Sequence, residues 1–168
     1  MVLLKYTCNL FSLIVVFANI YIIYKFNIIA ILGNLLSFIL HNAIKISTTN
    51  LKPLSIFKRP DGAENCGIFN TGGLVEHQSG FPSGHMTSIS FIMTYLLIHS
   101  NKKCFTNLAI YNIPIILVGI GRYYKYCHNF IQIITGYILG STLALFFYFR
   151  KKYILNIITQ FNLSNVKF

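Results

Sequence analysis

A chain of 168 residues that is 55% hydrophobic and only 10% charged, with a mean hydropathy of +0.62, falls outside the range of ordinary soluble domains, whose charged fraction is nearer a quarter. Its formal charge of +11, from 14 lysines and arginines against three acids, would suggest a nucleic-acid partner on a soluble protein, but here the cations sit in short clusters between apolar runs, as the ends of membrane helices require. Nucleic-acid binding and a second domain are therefore set aside: about five spans of roughly 20 residues each fill the length, giving one all-α integral membrane helical bundle over residues 1–168.

Residues 6–24 form the first apolar segment, and a polar break at Lys25, Phe26 and Asn27 leads into the second, 28–46. The two read as a helical hairpin. A basic start before an apolar run also fits a signal peptide, but no convincing small-residue cleavage site follows it. His41 and Asn42, late in the second segment, read as a satisfied polar pair at the membrane interface. From residue 45 to 81 the chain is polar and broken by Pro53, Pro60 and repeated glycines, a length without regular pattern that points to function. All three acids, Asp61, Glu64 and Glu76, fall in this stretch.

At Gly80-Phe81-Pro82-Ser83-Gly84-His85 the loop turns into the third apolar segment, 83–99. Pro82 disfavours helix for the residue before it and Ser83 is a good N-cap, so a helix starts here. Its free N–H groups and the positive end of its dipole form an anion site, Gly84 leaves room for the anion, and His85 stands within reach. Residues 100–103 turn the chain into a fourth segment, 105–120, expected to kink at Pro114. The tyrosine-rich polar turn at 121–128 suits a membrane interface. The fifth segment, 130–149, is closed by Arg150, Lys151 and Lys152. Residues 153–161 are apolar at helical spacing but too short to span, so 150–168 reads as a short basic amphipathic tail lying on the surface.

Two spans separate the loop that ends at His85 from the turn that carries Arg122 and His128, so both emerge on one face. That face collects Lys52, Lys58, Arg59, Arg122 and Lys125 with Ser83, His85 and His128. Arginine forks, lysine point charges and backbone N–H groups bind phosphate, and two histidines supply a nucleophile or base and an acid, enough for phosphoryl transfer without a metal or other cofactor. The basic residues divide equally between the two faces. Setting Lys52, Arg59 and Arg122 aside as anion ligands leaves the opposite face richer in cations, which puts the site on the non-cytoplasmic face. Lys58, Lys125, His77 and His99 read as surface groups, and a metal site from His77, His85, Glu76 and Cys66 lacks any short ligand spacing. Cys66 and Cys127 fall in loops sharing this face, where they can pair if it is oxidising or remain two free thiols.

Lys52, six residues, Arg59-Pro60, then Pro82-Ser83-Gly84-His85, then Arg122, five residues, His128: this order resembles the type 2 phosphatidic acid phosphatase superfamily, which shares its site with vanadium haloperoxidases. The resemblance covers a core of residues 52–132. Phe69-Asn70-Thr71-Gly72-Gly73, ahead of the second motif, resembles a divergent, viral-type branch. What the resemblance implies is a membrane phosphatase for a lipid phosphate monoester or diphosphate, of the phosphatidic acid or prenyl diphosphate type. His128 would be the nucleophile that forms a phosphohistidine and His85 the acid for the leaving oxygen. Lys52, Arg59, Arg122, Ser83 and the Gly84 amide would hold the phosphate oxygens, with no metal and the site outside or lumenal.

Membrane members of the family usually have six spans, so one N-terminal helix of the set has no counterpart here. Two residues also depart from the pattern. Gly121 replaces a serine before the third-motif arginine. Gln132 replaces the aspartate four residues after the nucleophile, a neighbour at i, i+4 that fixes the histidine tautomer and stabilises its positive form. By analogy with other histidine–carboxylate pairs, the loss reaches about 10²–10⁴ in rate unless Glu76, Glu64 or Asp61 restores the charge. The alternative is a lipid-phosphate-binding or scaffolding protein that keeps the cations without turnover. An anion transporter would need polar residues through its spans, and there are few.

Overall fold

The computed structural model describes residues 2–25, 27–51, 55–67, 69, 71–100 and 105–160. Lys52, the turn at 101–104 and the tail beyond residue 160 lie outside them. Among the described residues the regular structure is helical, with five α-helices and no strand. Helix α1 (Val2–Tyr24) and α2 (Ile28–Thr48) meet at Asn27, whose side chain accepts from Ala30 N at 3.1 Å and so caps α2. A 3₁₀ turn, Thr49–Leu51, ends α2. Helix α3 (Gly84–His99) starts directly behind Ser83, followed by α4 (Phe105–Tyr124) and α5 (Phe130–Gln160).

Helix α3 is apolar on every side and occupies the centre, touching each of the other four. Its Ile89, Phe91, Ile92 and Tyr95 are fully buried. Against α5 the approach is close because Gly136 and Gly140 carry no side chain: a Cβ on either would collide with the Ser83 or Thr87 carbonyl oxygen. This G-x-x-x-G contact sets the depth at which Ser83 and His85 sit beside the start of α5.

The bundle is apolar outside and polar within at one end. Phe17, Ile20, Ile39, Ile116, Phe146 and Phe149 face outward at 50% exposure or more, whereas Arg59, Arg122, Lys125, His128 and Gln132 are at most 6% exposed. Exposed apolar side chains in this number mark a membrane or protein interface.

Among the described residues two stretches are long and apolar enough by length and composition to cross a membrane, Ile28–Leu51 and Phe130–Gln160, with Leu10–Tyr24 as a shorter apolar run; α3, at 16 residues, is about 24 Å long. Two expectations are corrected by the helices themselves. Helix α4 continues past residue 120 to Tyr124, so Arg122 rides on its last turn rather than in a polar loop. Helix α5 runs unbroken through Arg150, Lys151 and Lys152 to Gln160, and Ile154, Leu155 and Ile158 pack against the core instead of lying on a surface as a separate tail.

The long polar stretch folds back on itself. Isolated antiparallel bridges pair Lys58 with Ser79 and Glu64 with Leu74, and Gly80 N donates to Phe57 O at 2.9 Å. A disulfide joins Cys66 to Cys127, with Cα atoms 5.6 Å apart, and settles the pairing that the sequence leaves open. It ties this loop to the α4–α5 turn at one end of the bundle, the shared face that counting spans predicts.

Candidate active site

His128 lies between α4 and α5, in the turn held by the disulfide, and is 2% exposed. Its Nδ1 is 2.9 Å from the Gly80 carbonyl oxygen and 3.2 Å from Gln132 Oε1. A carbonyl only accepts, so Nδ1 carries the proton and Nε2 keeps its lone pair, without a partner among the described residues. Burial first, then the charges of Arg59, Arg122, Lys45 and His85, hold its pKa well below the ordinary 6.5. It is a neutral imidazole at pH 7, the form a nucleophile needs.

The folded protein therefore binds fewer protons than the unfolded chain once the pH drops below 6.5, and stability falls with the pH there. The slope is about 1.4 kcal/mol per pH unit for such a histidine. Thermal unfolding in detergent is expected to show a midpoint that declines from pH 7 to pH 5, with a smaller decline in His128→Ala.

Gln132 makes four bonds. Its Oε1 accepts from His128 and from Asn129 N (3.3 Å), and its Nε2 donates to Ile56 O (3.0 Å) and Lys58 O (2.8 Å). Asn129 Oδ1 in turn accepts from Gln132 N at 2.9 Å. The reciprocal pair is a capping box that starts α5, and the sequence Asn129-x-x-Gln132 signals it. Gln132 thus both orients His128 and anchors the loop, a task that an ionised carboxylate cannot perform because the loop offers it two carbonyl oxygens. Gln132→Glu is expected to destabilise the protein by about 2–4 kcal/mol, read by thermal unfolding, since a buried carboxylate would face those acceptors. Two of the three acids are engaged elsewhere: Asp61 pairs with exposed Lys58 at 2.6 Å and Glu76 accepts from Gly62 N at 3.0 Å. The carbonyl of Gly80 takes over the orienting role. Gly80 must lack a Cβ, which would overlap Gln132 Oε1.

The cations surround this histidine. Arg59 Nη1 donates to Cys127 O at 2.8 Å, and Arg122 donates to Cys66 O at 2.5 Å and Ser12 Oγ at 3.2 Å. Both half-cystines thus use their backbone carbonyls to aim an arginine. Burial lowers the Arg59 pKa to about 10, which leaves it charged at neutral pH. Six buried side-chain polar atoms lack a hydrogen-bond partner among the described residues, and four belong to the expected site: Arg59 Nε, Arg122 Nε, Ser83 Oγ and His85 Nε2. Such orphans are costly unless a ligand meets them. Ser83 occupies the N-cap position of α3 yet makes no capping bond, so its hydroxyl is left for that ligand. Among the described residues no three His, Cys, Asp or Glu side chains gather as a metal set.

Lys125, expected at the surface, is 5% exposed and donates from Nζ to Asn65 O at 2.6 Å, bracing the loop. Two site residues escape the sequence reading. Lys45 lies close enough to Arg59, Arg122, His85 and His128 to feel or exert charge, and its side chain has no ion pair or hydrogen bond among the described residues. His41, one turn earlier, bonds Ser37 O through Nδ1 at 2.9 Å and lays its ring over Gly84, where a Cβ would come within 2.6 Å of Nε2. A histidine and a lysine at i, i+4 in an otherwise apolar helix were the available signal. Both line a cavity of about 500 Å³ that reaches Gly84 and His85 and continues between α1, α2 and α3.

The arrangement is a neutral histidine with a free Nε2, a second histidine at a helix start, and three buried or half-buried cations, of which His85 and Lys45 line the cavity. A family model described as the PAP2 superfamily matches residues 26–154. No curated protein and no solved structure matches the chain. With that match over most of its length, the chain belongs to the PAP2 superfamily, whose members include phosphatases.

Proposed function

We propose that this protein is a membrane phosphatase that hydrolyses a lipid phosphate monoester or diphosphate through a phosphohistidine. The observation that carries the reading is His128: its Nδ1–H is spent on Gly80 O and Gln132 Oε1, so Nε2 is the nucleophile, buried among cations that have no counter-charge among the described residues. A phosphate dianion supplies it. Arg59, Arg122 and Lys45 neutralise the oxygens, joined by Lys52 through its motif position, while Ser83 Oγ and the Gly84 amide meet the remainder.

Attack of Nε2 on phosphorus forms the N–P bond as the P–O ester bond breaks, and the leaving alkoxide takes a proton from His85, an imidazolium once the bound phosphate dianion offsets its burial and the surrounding cations. Water, deprotonated by His85, then attacks the phosphohistidine and releases phosphate. No step calls for a metal. Gln132 and Gly80 O together hold the tautomer but lend no negative charge to the imidazolium, so turnover is expected to be slower than a carboxylate in place of Gln132 would give.

All five helices are read as crossing the bilayer, with short α3 enclosed by the others and not by lipid. The Cys66–Cys127 disulfide supports a site on the non-cytoplasmic, oxidising side. The test is phosphate release by detergent-purified protein from phosphatidic acid and from a prenyl diphosphate, with chelator present. Release that persists in chelator and vanishes in His128→Ala is expected. Equal traces from both proteins would point instead to a lipid-phosphate-binding protein.

A further inference from the structure

The cavity that reaches His85 and Lys45 holds a second polar feature that the chemistry above does not use. One turn below the phosphate level, Asn34 Nδ2 donates to Asn19 Oδ1 at 2.5 Å and Ser88 Oγ donates to Asn34 Oδ1 at 2.9 Å, with Asn19 Nδ2 bonded to Val15 O (2.7 Å) and more weakly to Ser88 Oγ (3.4 Å). All three side chains line the cavity. An amide nitrogen carries two hydrogens, and Asn34 uses one. Its second N–H has no acceptor among the described residues.

Polar groups at this depth are costly, and a purely structural rung has no need to face an opening. The Thr94–Ser141 pair (3.1 Å) joins α3 to α5 in that structural way and lines no part of this cavity. Ser88 follows His85 by three residues, about 4.5 Å along the helix, which matches the few bonds between a phosphate and the first ester carbonyl of a glycerol-based lipid. Around the rung the wall is apolar, from Ile22, Ile31, Leu35 and Phe38, and Leu35 and Phe38 are more than half exposed, so the cavity opens sideways between α1 and α2 toward an acyl chain.

Resting on the phosphatase reading for the phosphate end, we infer that Asn34, braced by Asn19 and Ser88, is a specificity-determining residue that donates to an acyl ester carbonyl. The preferred ligand is then an ester-linked glycerolipid phosphate over its ether-linked counterpart.

The test removes the bond from each side. Binding of dioctanoyl phosphatidate and of its dialkyl ether analogue, which lacks the carbonyl, is measured in the full-length His128→Ala background so that no turnover is needed. The ester lipid should bind about three- to tenfold tighter than the ether, the worth of one hydrogen bond. Asn34→Leu should erase that ratio by weakening the ester alone, and the milder Ser88→Ala should shrink it. Equal affinity for ester and ether, or an equal loss on both lipids in Asn34→Leu, would overturn the assignment and leave the trio as a helix rung. Failure of the phosphatase reading would look different: ester selectivity in binding with no phosphate released by the parent protein.

Discussion

Reducing the Cys66–Cys127 disulfide, or replacing Cys127 by serine, is expected to lower phosphate release by more than about 100-fold and to destabilise the protein by about 4 kcal/mol. The stability figure follows from chain entropy, because the bridge closes a loop with a sequence separation of 61. The activity figure follows from position. Cys127 precedes His128, its carbonyl receives Arg59, and the Cys66 carbonyl receives Arg122. Once the link opens, both arginines lose their fixed acceptors and His128 loses the wall against which Gly80 holds it; misplacement by about 1 Å costs on the order of 10² in rate. Activity assayed with and without reductant, alongside thermal unfolding, checks both parts. A reduced protein of full activity would show that the loop is held by its hydrogen bonds alone.

Arg122→Lys is expected to lower kcat/KM by about 10²–10³ while the protein stays folded. Arg122 is 1% exposed and already spends two nitrogens on Ser12 and Cys66, leaving Nε for the ligand. Only a planar fork reaches three acceptors in fixed directions; an ammonium keeps the charge but not the aim. Steady-state kinetics on a lipid phosphate, with unfolding as the control, tests this. A loss confined to KM would mean that Arg122 binds the ground state and transition state equally.

The chemistry-bearing residues were largely legible in the sequence because their spacing is dictated by the backbone they stand on. Ser83-Gly84-His85 announces a helix start, and Arg122 and His128 flank a turn whose face follows from counting spans. Lys45 and His41 were not legible as site residues, because nothing local distinguishes a polar side chain aimed at a bundle interior from one at an interface. Only the packing of α2 against the start of α3 turns them inward. Gln132 shows the opposite limit. Read against the family pattern it is a lost carboxylate, yet the structure gives it four partners, two of them carbonyls that no aspartate could satisfy. The long loop hid its order because that order comes from one disulfide, two isolated bridges and Lys125, not from a repeating pattern. The run after Arg150 was misjudged for a related reason: a basic trio ends an apolar segment but not a helix.

The central claim, that His128 Nε2 is the nucleophile, is tested most directly by trapping. The protein is mixed with a lipid phosphate labelled at phosphorus, quenched within a turnover, and digested for peptide mapping. The account predicts an acid-labile, base-stable phosphoryl group on the peptide that contains His128, absent in His128→Ala and reduced in Arg122→Lys. Phosphate release at full rate from His128→Ala, or label found on His85 instead, would contradict it.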